Sequence, residues 1–272
     1  MSDSVVPDEG EQLATGWERD LDPADTLVRR AVLAHASWAA AVPEALGHIA
    51  RRTDRWAGGH VGDRGLLVNP VVVTRPLAAE EWAEVLAEVE ETLPAGVPWF
   101  LISPFPTPDL AALGVVKIGH PPLMVRFPGG SAPPPRDGVQ LEWVEDAEGL
   151  AVAERVLVEG YPMPELQPLT PGDLLAPPIL DGPTRVVTAS LDGRPAAVAA
   201  AHLAGGAVLV EYVAALPAAR GQGAAAAATW AATLSEPDLP AVLVASDDGR
   251  PLYERMGYVA IERWTVWVRP GG

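Results

Sequence analysis

The distribution of apolar and polar positions predicts a mixed series of strands and helices in the second half of the chain. Val139 to Val144 reads as a strand, and Ala147 to Val158 as a helix with Leu150, Val152, Val156 and Leu157 available for one apolar face. A Pro-rich loop, Tyr161 to Pro183, follows. Three strand-like runs come next, Arg185 to Leu191, Ala196 to Leu203 and Ala207 to Ala215. Asp192-Gly193 and Gly205-Gly206 join them, and such dipeptides favour tight hairpins, so the three runs predict an antiparallel meander. Beyond it the pattern predicts an alanine-dense helix from about Gln222 to Leu234, a strand at Ala241 to Ala245, a short helix at Pro251 to Met256 and a last strand through Trp267. Pro251 suits a first helical turn and Gly257 a helix exit, which confines Tyr253 to that first turn.

The run from Pro128 to Gly138 is dense in Pro and Gly and can continue neither a helix nor a strand, so it marks a boundary. The expected organisation is an N-terminal α/β lobe at 1–127, a linker at 128–138 and a C-terminal domain at 139–272. A chain of 272 residues is long enough for two domains of about 130 residues, each with its own core.

Composition narrows the chemistry. The formal net charge is −17, and Lys and Arg gather into no basic face, which argues against nucleic acid and anionic membranes as partners. A diffuse negative field favours the approach of a cationic substrate such as an amine. Cysteine is absent, which removes disulfides, thiolate metal sites and a cysteine nucleophile. His35, His48, His60, His120 and His202 are scattered singly, so no metal is expected. Met1 to Gln12 is acidic and lacks the apolar stretch of a secretory signal, so a cytoplasmic protein is expected. Pro195 to Val210 is uncharged, but His202 and Gly205-Gly206 interrupt it, and a span needs about 20 continuous apolar residues.

Between the strand ending near Ala215 and the alanine-rich helix lies Arg220-Gly221-Gln222-Gly223-Ala224-Ala225. Glycines at a helix start let the backbone approach a ligand closely, and the free N–H groups of the first turn, with the positive end of the helix dipole, suit a pyrophosphate. A P-loop would need Gly-Lys-Ser/Thr, and a dinucleotide fingerprint three glycines in a parallel βαβ unit; neither is present.

The run resembles the (Gln/Arg)-x-x-Gly-x-(Gly/Ala) signature of the GNAT superfamily of N-acetyltransferases. It is preceded by Glu211-Tyr212-Val213-Ala214-Ala215-Leu216-Pro217, and Leu252-Tyr253-Glu254-Arg255-Met256-Gly257-Tyr258 is similar to that family's second block. The resemblance covers roughly residues 139 to 268. It implies a mixed α/β (α+β) fold with a mostly antiparallel, splayed sheet flanked by helices. Acetyl-CoA or another acyl-CoA would insert as co-substrate between the strand ending at Ala215 and the strand Ala241 to Ala245. Val213, Ala214 and Ala215 would offer backbone hydrogen bonds to the acyl and pantetheine portion. Gly221, Gln222, Gly223, Ala224, Ala225 and Ala226 would hold the pyrophosphate, with Arg220 supplying positive charge nearby. Ala215 stands where the family often has a larger β-branched residue, which bears on acyl-chain size.

In this reading an amine attacks the thioester directly, and Tyr253 is the expected acid for the departing thiolate. Glu211 is the candidate base: strand parity with Val213 and Ala215 would place it on the face lining the cleft. A carboxylate of ordinary pKa is about six units too weak a base for a lysine-like amine unless desolvated, and an edge charge or substrate-binding carboxylate is the other role open to Glu211. A CoA-binding module without catalysis is the alternative function, and a homodimer is left open.

The first half repeats part of this order. Pro98 to Ile102 reads as a strand, and Pro108 lies six residues before Gly114, as Pro251 lies six before Gly257. Leu110 stands at the place equivalent to Tyr253, and the helix Ala78 to Leu93 begins without glycines and with Glu80 and Glu81 in its first turn. A degenerate GNAT-like lobe without a CoA site is therefore expected, with a structural or acceptor-shaping role.

Overall fold

A computed structural model describes residues 17, 22, 25–161 and 163–272; the acidic stretch at 1–12 lies outside the described residues. The chain begins with α1 (Leu27–Ala45), then β1 (Ala50–Arg52), β2 (Trp56–Gly59), β3 (Pro70–Val73), α2 (Glu81–Thr92), β4 (Trp99–Ser103), β5 (Val116–Gly119) and β6 (Pro122–Arg126). After the Pro/Gly linker come β7 (Val139–Trp143), α3 (Ala147–Gly160), β8 (Thr184–Leu191), β9 (Arg194–Ala204), β10 (Ala207–Ala215), α4 (Ala224–Thr233), β11 (Ala241–Val244), α5 (Arg250–Arg255), β12 (Val259–Arg263) and β13 (Thr265–Arg269). The fold is mixed α+β, with two mostly antiparallel sheets flanked by helices.

The meander β8-β9-β10 forms as the hairpin signals predict, with Ala207 opposite Ala204 and Leu191 opposite Arg194. Helix α4 packs on it through Ala224, Ala228 and Ala232, all fully buried; side chains this small bring helix and sheet close together. Helix α3 starts where the Asp146 side chain accepts from the N–H of Gly149, and Leu150, Val156 and Leu157 are buried as its apolar periodicity requires.

The last strand departs from expectation. The first sheet runs β1-β2-β3-β4-β13-β5 and the second β12-β6-β11-β10-β9-β8-β7, so each half lends one strand to the other's sheet. Met124 of β6 stands between Leu243 of β11 and Ala260 of β12, and Trp267 of β13 stands between Leu101 of β4 and Lys117 of β5. The predicted strand through Trp267 is therefore two strands: β12 at the edge of the second sheet, and β13 in the interior of the first. Leu123, Met124 and Val125 in one and Val266, Trp267 and Val268 in the other are buried continuously, as suits interior strands covered on both faces.

The cores do not divide with the chain. One apolar cluster joins α1 and the first sheet to α3 and one face of the second, including Ala31, Trp38, Leu101, Leu150, Val198 and Leu209. Another fills the space between α4 and the opposite face. Polar contacts reinforce the crossing: His202 of β9 bonds Thr184 Oγ1 at 2.8 Å and Ser37 Oγ of α1 at 2.9 Å.

Candidate active site

Strands β10 and β11 pair in parallel only at Val208–Ala241 and Leu209–Val242. Beyond these pairs β10 keeps β9 and β11 keeps β6, so a wedge opens between the two strands at their C-terminal ends. Within β10 the register shifts: Glu211 faces Ala200, but Ala214 faces Val198, one residue more on β10 than on β9. Tyr212 takes up the excess at φ 54, a β-bulge that releases part of the strand's backbone from its ladder.

The bulge overturns the parity expected for Glu211. One inserted residue reverses the alternation, so Glu211 shares its face with Ala214 and Leu209, while Val213 and Ala215 project toward the α4 side. Glu211 consequently looks toward α1, where Nε2 of the fully buried His35 lies 3.6 Å from its Oε1. Burial pushes the Glu211 carboxyl up to about 8, opposed by a hydrogen bond from the Tyr212 backbone.

Past the wedge, a 3-10 turn at Pro217–Ala219 leads through Gly221 (φ 76) and Gly223 (φ 97) into α4. Both conformations lie in the left-handed region that glycine adopts without a steric cost. Gly223 caps the helix without any side-chain acceptor, and no acidic residue stands in the first turn, so the opening N–H groups and the dipole are available to an anion. A cleft of about 460 Å³ adjoins this turn, lined among others by Arg136, Ala215, Arg220, Gly223, Ala226 and Trp230. Its size falls within the about 300 to 1,000 Å³ usual for ligand sites.

Two arginines hold the turn. Arg220 donates to the Gly160 carbonyl at 2.9 Å, tying the loop to the end of α3. There Gly160 packs so closely that a β-carbon would stand 3.0 Å from the Ala215 carbonyl. Arg136, from the linker, donates to the Gly221 carbonyl at 3.1 Å. The linker, readable in the sequence only as a boundary, thus brings a cation to the glycine turn, and no local pattern signalled it.

Tyr253 is buried on α5, edge-on to Tyr258 with ring centroids 5.9 Å apart, and Gly249 provides the space for its ring. The Tyr258 hydroxyl is engaged with Thr233 Oγ1 at 2.7 Å, which gives that tyrosine a structural role. Burial holds the Tyr253 phenol far above its ordinary value, and the charges of Tyr161 and Glu211 add to this. Tyr161, at the end of α3, is raised by desolvation and then by Glu211. Glu211, Tyr161 and Tyr253 are thus brought into mutual electrostatic range from β10, α3 and α5.

The Pro-rich loop that follows α3 is anchored by a buried carboxylate that no local pattern signalled. Glu154 of α3 accepts from the N–H groups of Gly172 at 2.8 Å, Leu174 at 2.5 Å and Leu175 at 3.2 Å. In the first half, the start of α2 carries Glu81, whose carboxylate pairs with Arg75 at 2.7 Å and accepts from the Ala78 N–H at 2.8 Å. The hydrogen bond from Arg75 lowers its pKa to about 2, so the group stays anionic at the start of α2. Leu110, which the sequence order sets against Tyr253, is buried. A second cavity, of about 410 Å³, lies between α1 and Thr53, Ala57 and Arg75, apart from the tyrosine cluster.

Among the described residues, no group of three His, Cys, Asp or Glu side chains could hold a metal ion, and no helix is long and apolar enough to cross a membrane.

No family model matches the sequence, and no curated protein matches it. Solved structures do. The chain is similar to a GCN5-related N-acetyltransferase from Kribbella flavida at 25% identity and a TM-score of 0.60, over 87% of this chain and 96% of that one. A GNAT-family protein from Novosphingobium aromaticivorans shares the fold at 18% identity and a TM-score of 0.52, over 86% of this chain and 98% of that one. So does a functionally unknown conserved protein from Staphylococcus epidermidis, at 15% identity and a TM-score of 0.53, over 82% and 93%. Coverage this complete means that both sheets, not the second alone, are common to the group. The glycine motif, the splayed and bulged sheet and these structural neighbours together support the GCN5-related N-acetyltransferase (GNAT) superfamily for this chain.

Proposed function

We propose that the chain is an N-acyltransferase that moves an acyl group, acetyl in the first instance, from acyl-CoA to a primary amine of a small molecule or protein by direct attack. The observation that carries this reading is a conjunction: the wedge between β10 and β11 opens onto the uncapped glycine start of α4, with Tyr253 and Glu211 at the same end of the sheet.

The residues present fit an acyl-CoA. The turn from Gly221 to Ala226, through the free N–H groups at the start of α4, would hold the pyrophosphate, with Arg136 and Arg220 adding positive charge, and the bulged backbone of Val213 to Ala215 would bond the pantetheine and acyl portion. The thioester supplies an activated acyl carbon. Glu211 accepts a proton from the incoming ammonium group; at about 8 its carboxyl is closer to a lysine-like amine near 10.4 than an ordinary carboxylate is. Tyr253, which burial keeps protonated, donates to the departing sulfur. The first half serves as a structural or acceptor-shaping lobe without a CoA site of its own.

The test is calorimetry of CoA and acetyl-CoA against the wild-type chain and Gly223→Val, followed by thiol-release assays with an amine panel. One CoA site per chain is expected, strongly weakened in the folded variant, because a β-carbon at Gly223 meets Arg136 Cδ at 2.8 Å and the backbone prefers φ 97. Two sites per chain, or unchanged affinity in the variant, would remove the assignment. Tight CoA binding without turnover on any amine would point instead to a regulatory CoA-binding module.

A further inference from the structure

The first half reaches the candidate site through one side chain. His35 lies on α1, which packs across β9 and β10, and it is fully buried against Trp264 in an edge contact with ring centroids 4.7 Å apart. Its Nδ1 is 2.7 Å from the Ala31 carbonyl oxygen, an atom that can only accept. Nδ1 therefore carries the proton, and Nε2 presents a lone pair. That Nε2 is buried without a hydrogen-bond partner, and it points at Oε1 of Glu211, 3.6 Å away. A lone pair facing a carboxylate oxygen in a buried site is repulsive, whereas a proton between the two atoms turns the contact into a hydrogen bond.

We propose that His35 is a positioning residue for Glu211: its Nε2 accepts a hydrogen bond from the acid form of Glu211 and so favours proton uptake from the acceptor amine. This rests on the acyl-transfer reading above. The proton leaves the amine nitrogen and forms an O–H bond on the Glu211 carboxylate. The carboxyl holds it toward Nε2 and releases it to water once product has left. The imidazole gains no proton in this cycle, because burial pushes its own pKa down to about 4. The titratable groups facing Glu211 are His35 from α1, Tyr161 from the end of α3, Tyr253 from α5 and the neighbouring Tyr212; His202 of β9 faces His35 from behind.

The first half, which already shares strands with the second sheet, also carries α1 onto it. Its helix α1 is fixed there by the His202–Ser37 bond and by Arg30, which donates to the Gly206 carbonyl at 3.2 Å, so His35 is held at a set depth beside the bulge.

The test combines a measurement that needs no turnover with one that does. Imidazole nitrogen NMR of the wild-type chain should show His35 as the Nδ1–H tautomer, with an Nε2 resonance that moves as Glu211 titrates and becomes independent of pH in Glu211→Gln. In folded His35→Leu, the pH at which kcat/KM levels off should fall by about one unit, the effect of losing one hydrogen bond to the neutral carboxyl, while KM for acyl-CoA stays the same. His35→Gln, which keeps an acceptor in place, should retain the wild-type inflection. An Nε2 resonance that does not move between about pH 5 and about pH 10, or an unshifted inflection in His35→Leu, would overturn the proposal. Lack of turnover in the wild-type chain would count against the acyl-transfer reading, and the NMR titration would still decide the pairing.

Discussion

Arg136 lies across Gly223: its Nη1 donates to the Gly221 carbonyl at 3.1 Å, and its Cδ would stand 2.8 Å from a β-carbon on Gly223. A linker residue thereby places a cation against the N-terminal turn of α4, where backbone N–H groups already favour an anion. Arg136→Ala should raise KM for acyl-CoA by about threefold to tenfold and leave kcat unchanged, since the charge acts on binding rather than on the reacting atoms. Because the group is solvent-facing, the difference between variant and wild type should shrink as salt is raised. Equal KM values at low ionic strength would reduce Arg136 to a prop for the loop.

Tyr253→Phe retains the ring that packs beside Tyr258 and Gly249 and removes only the hydroxyl. Fold and CoA affinity should survive, while kcat should drop by about 100-fold to 10,000-fold, the usual range for loss of a general acid. Because burial holds the phenol far above its ordinary value, any fall in wild-type activity at alkaline pH should persist in this variant and belong to another group. Steady-state kinetics decides the point. Full turnover in the folded variant would make Tyr253 a packing residue, and weaker CoA binding at unchanged turnover would make it a cofactor contact.

Glu211 carries a stability cost with a definite pH signature. Its carboxyl titrates at about 8 in the folded chain against an ordinary 4.5, so the folded state binds more protons between those values. The associated stability is complete below about 4.5, declines as pH rises toward about 8 and is constant above it. Glu211→Gln removes the burden of burying the charge, so its Tm relative to wild type should be higher at pH 9 than at pH 5 by calorimetry. In rate, wild-type kcat/KM should rise with pH and level off near 8, whereas the Gln variant should follow the free amine and keep rising toward its pKa near 10.4. An equal Tm difference at both pH values, together with superimposable rate profiles, would show that Glu211 neither titrates near 8 nor acts as the base.

Features that depend on neighbouring residues were legible in the sequence. The hairpins of the meander, the glycine turn before α4 and the short helix between Pro251 and Gly257 arise from local backbone preference, and each formed within a residue or two of its predicted span. The carboxylate of Glu81 in the first turn of α2 was legible for the same reason, because the start of that helix is set by local sequence. Sheet membership was not. Backbone hydrogen bonds are the same for every strand, and β6 and β13 are apolar on both faces, so either could serve as an interior strand of either sheet; only assembly placed Met124 in one and Trp267 in the other. The facing of Glu211 was hidden by a single extra residue at Tyr212, since strand parity reverses wherever a bulge occurs and no sequence periodicity marks it. His35 and Arg136 lie 176 and 85 residues from Glu211 and Gly221, in a helix and a linker with ordinary local sequence. What makes them part of the site is proximity across the fold, which local chemistry does not encode and tertiary packing alone decides.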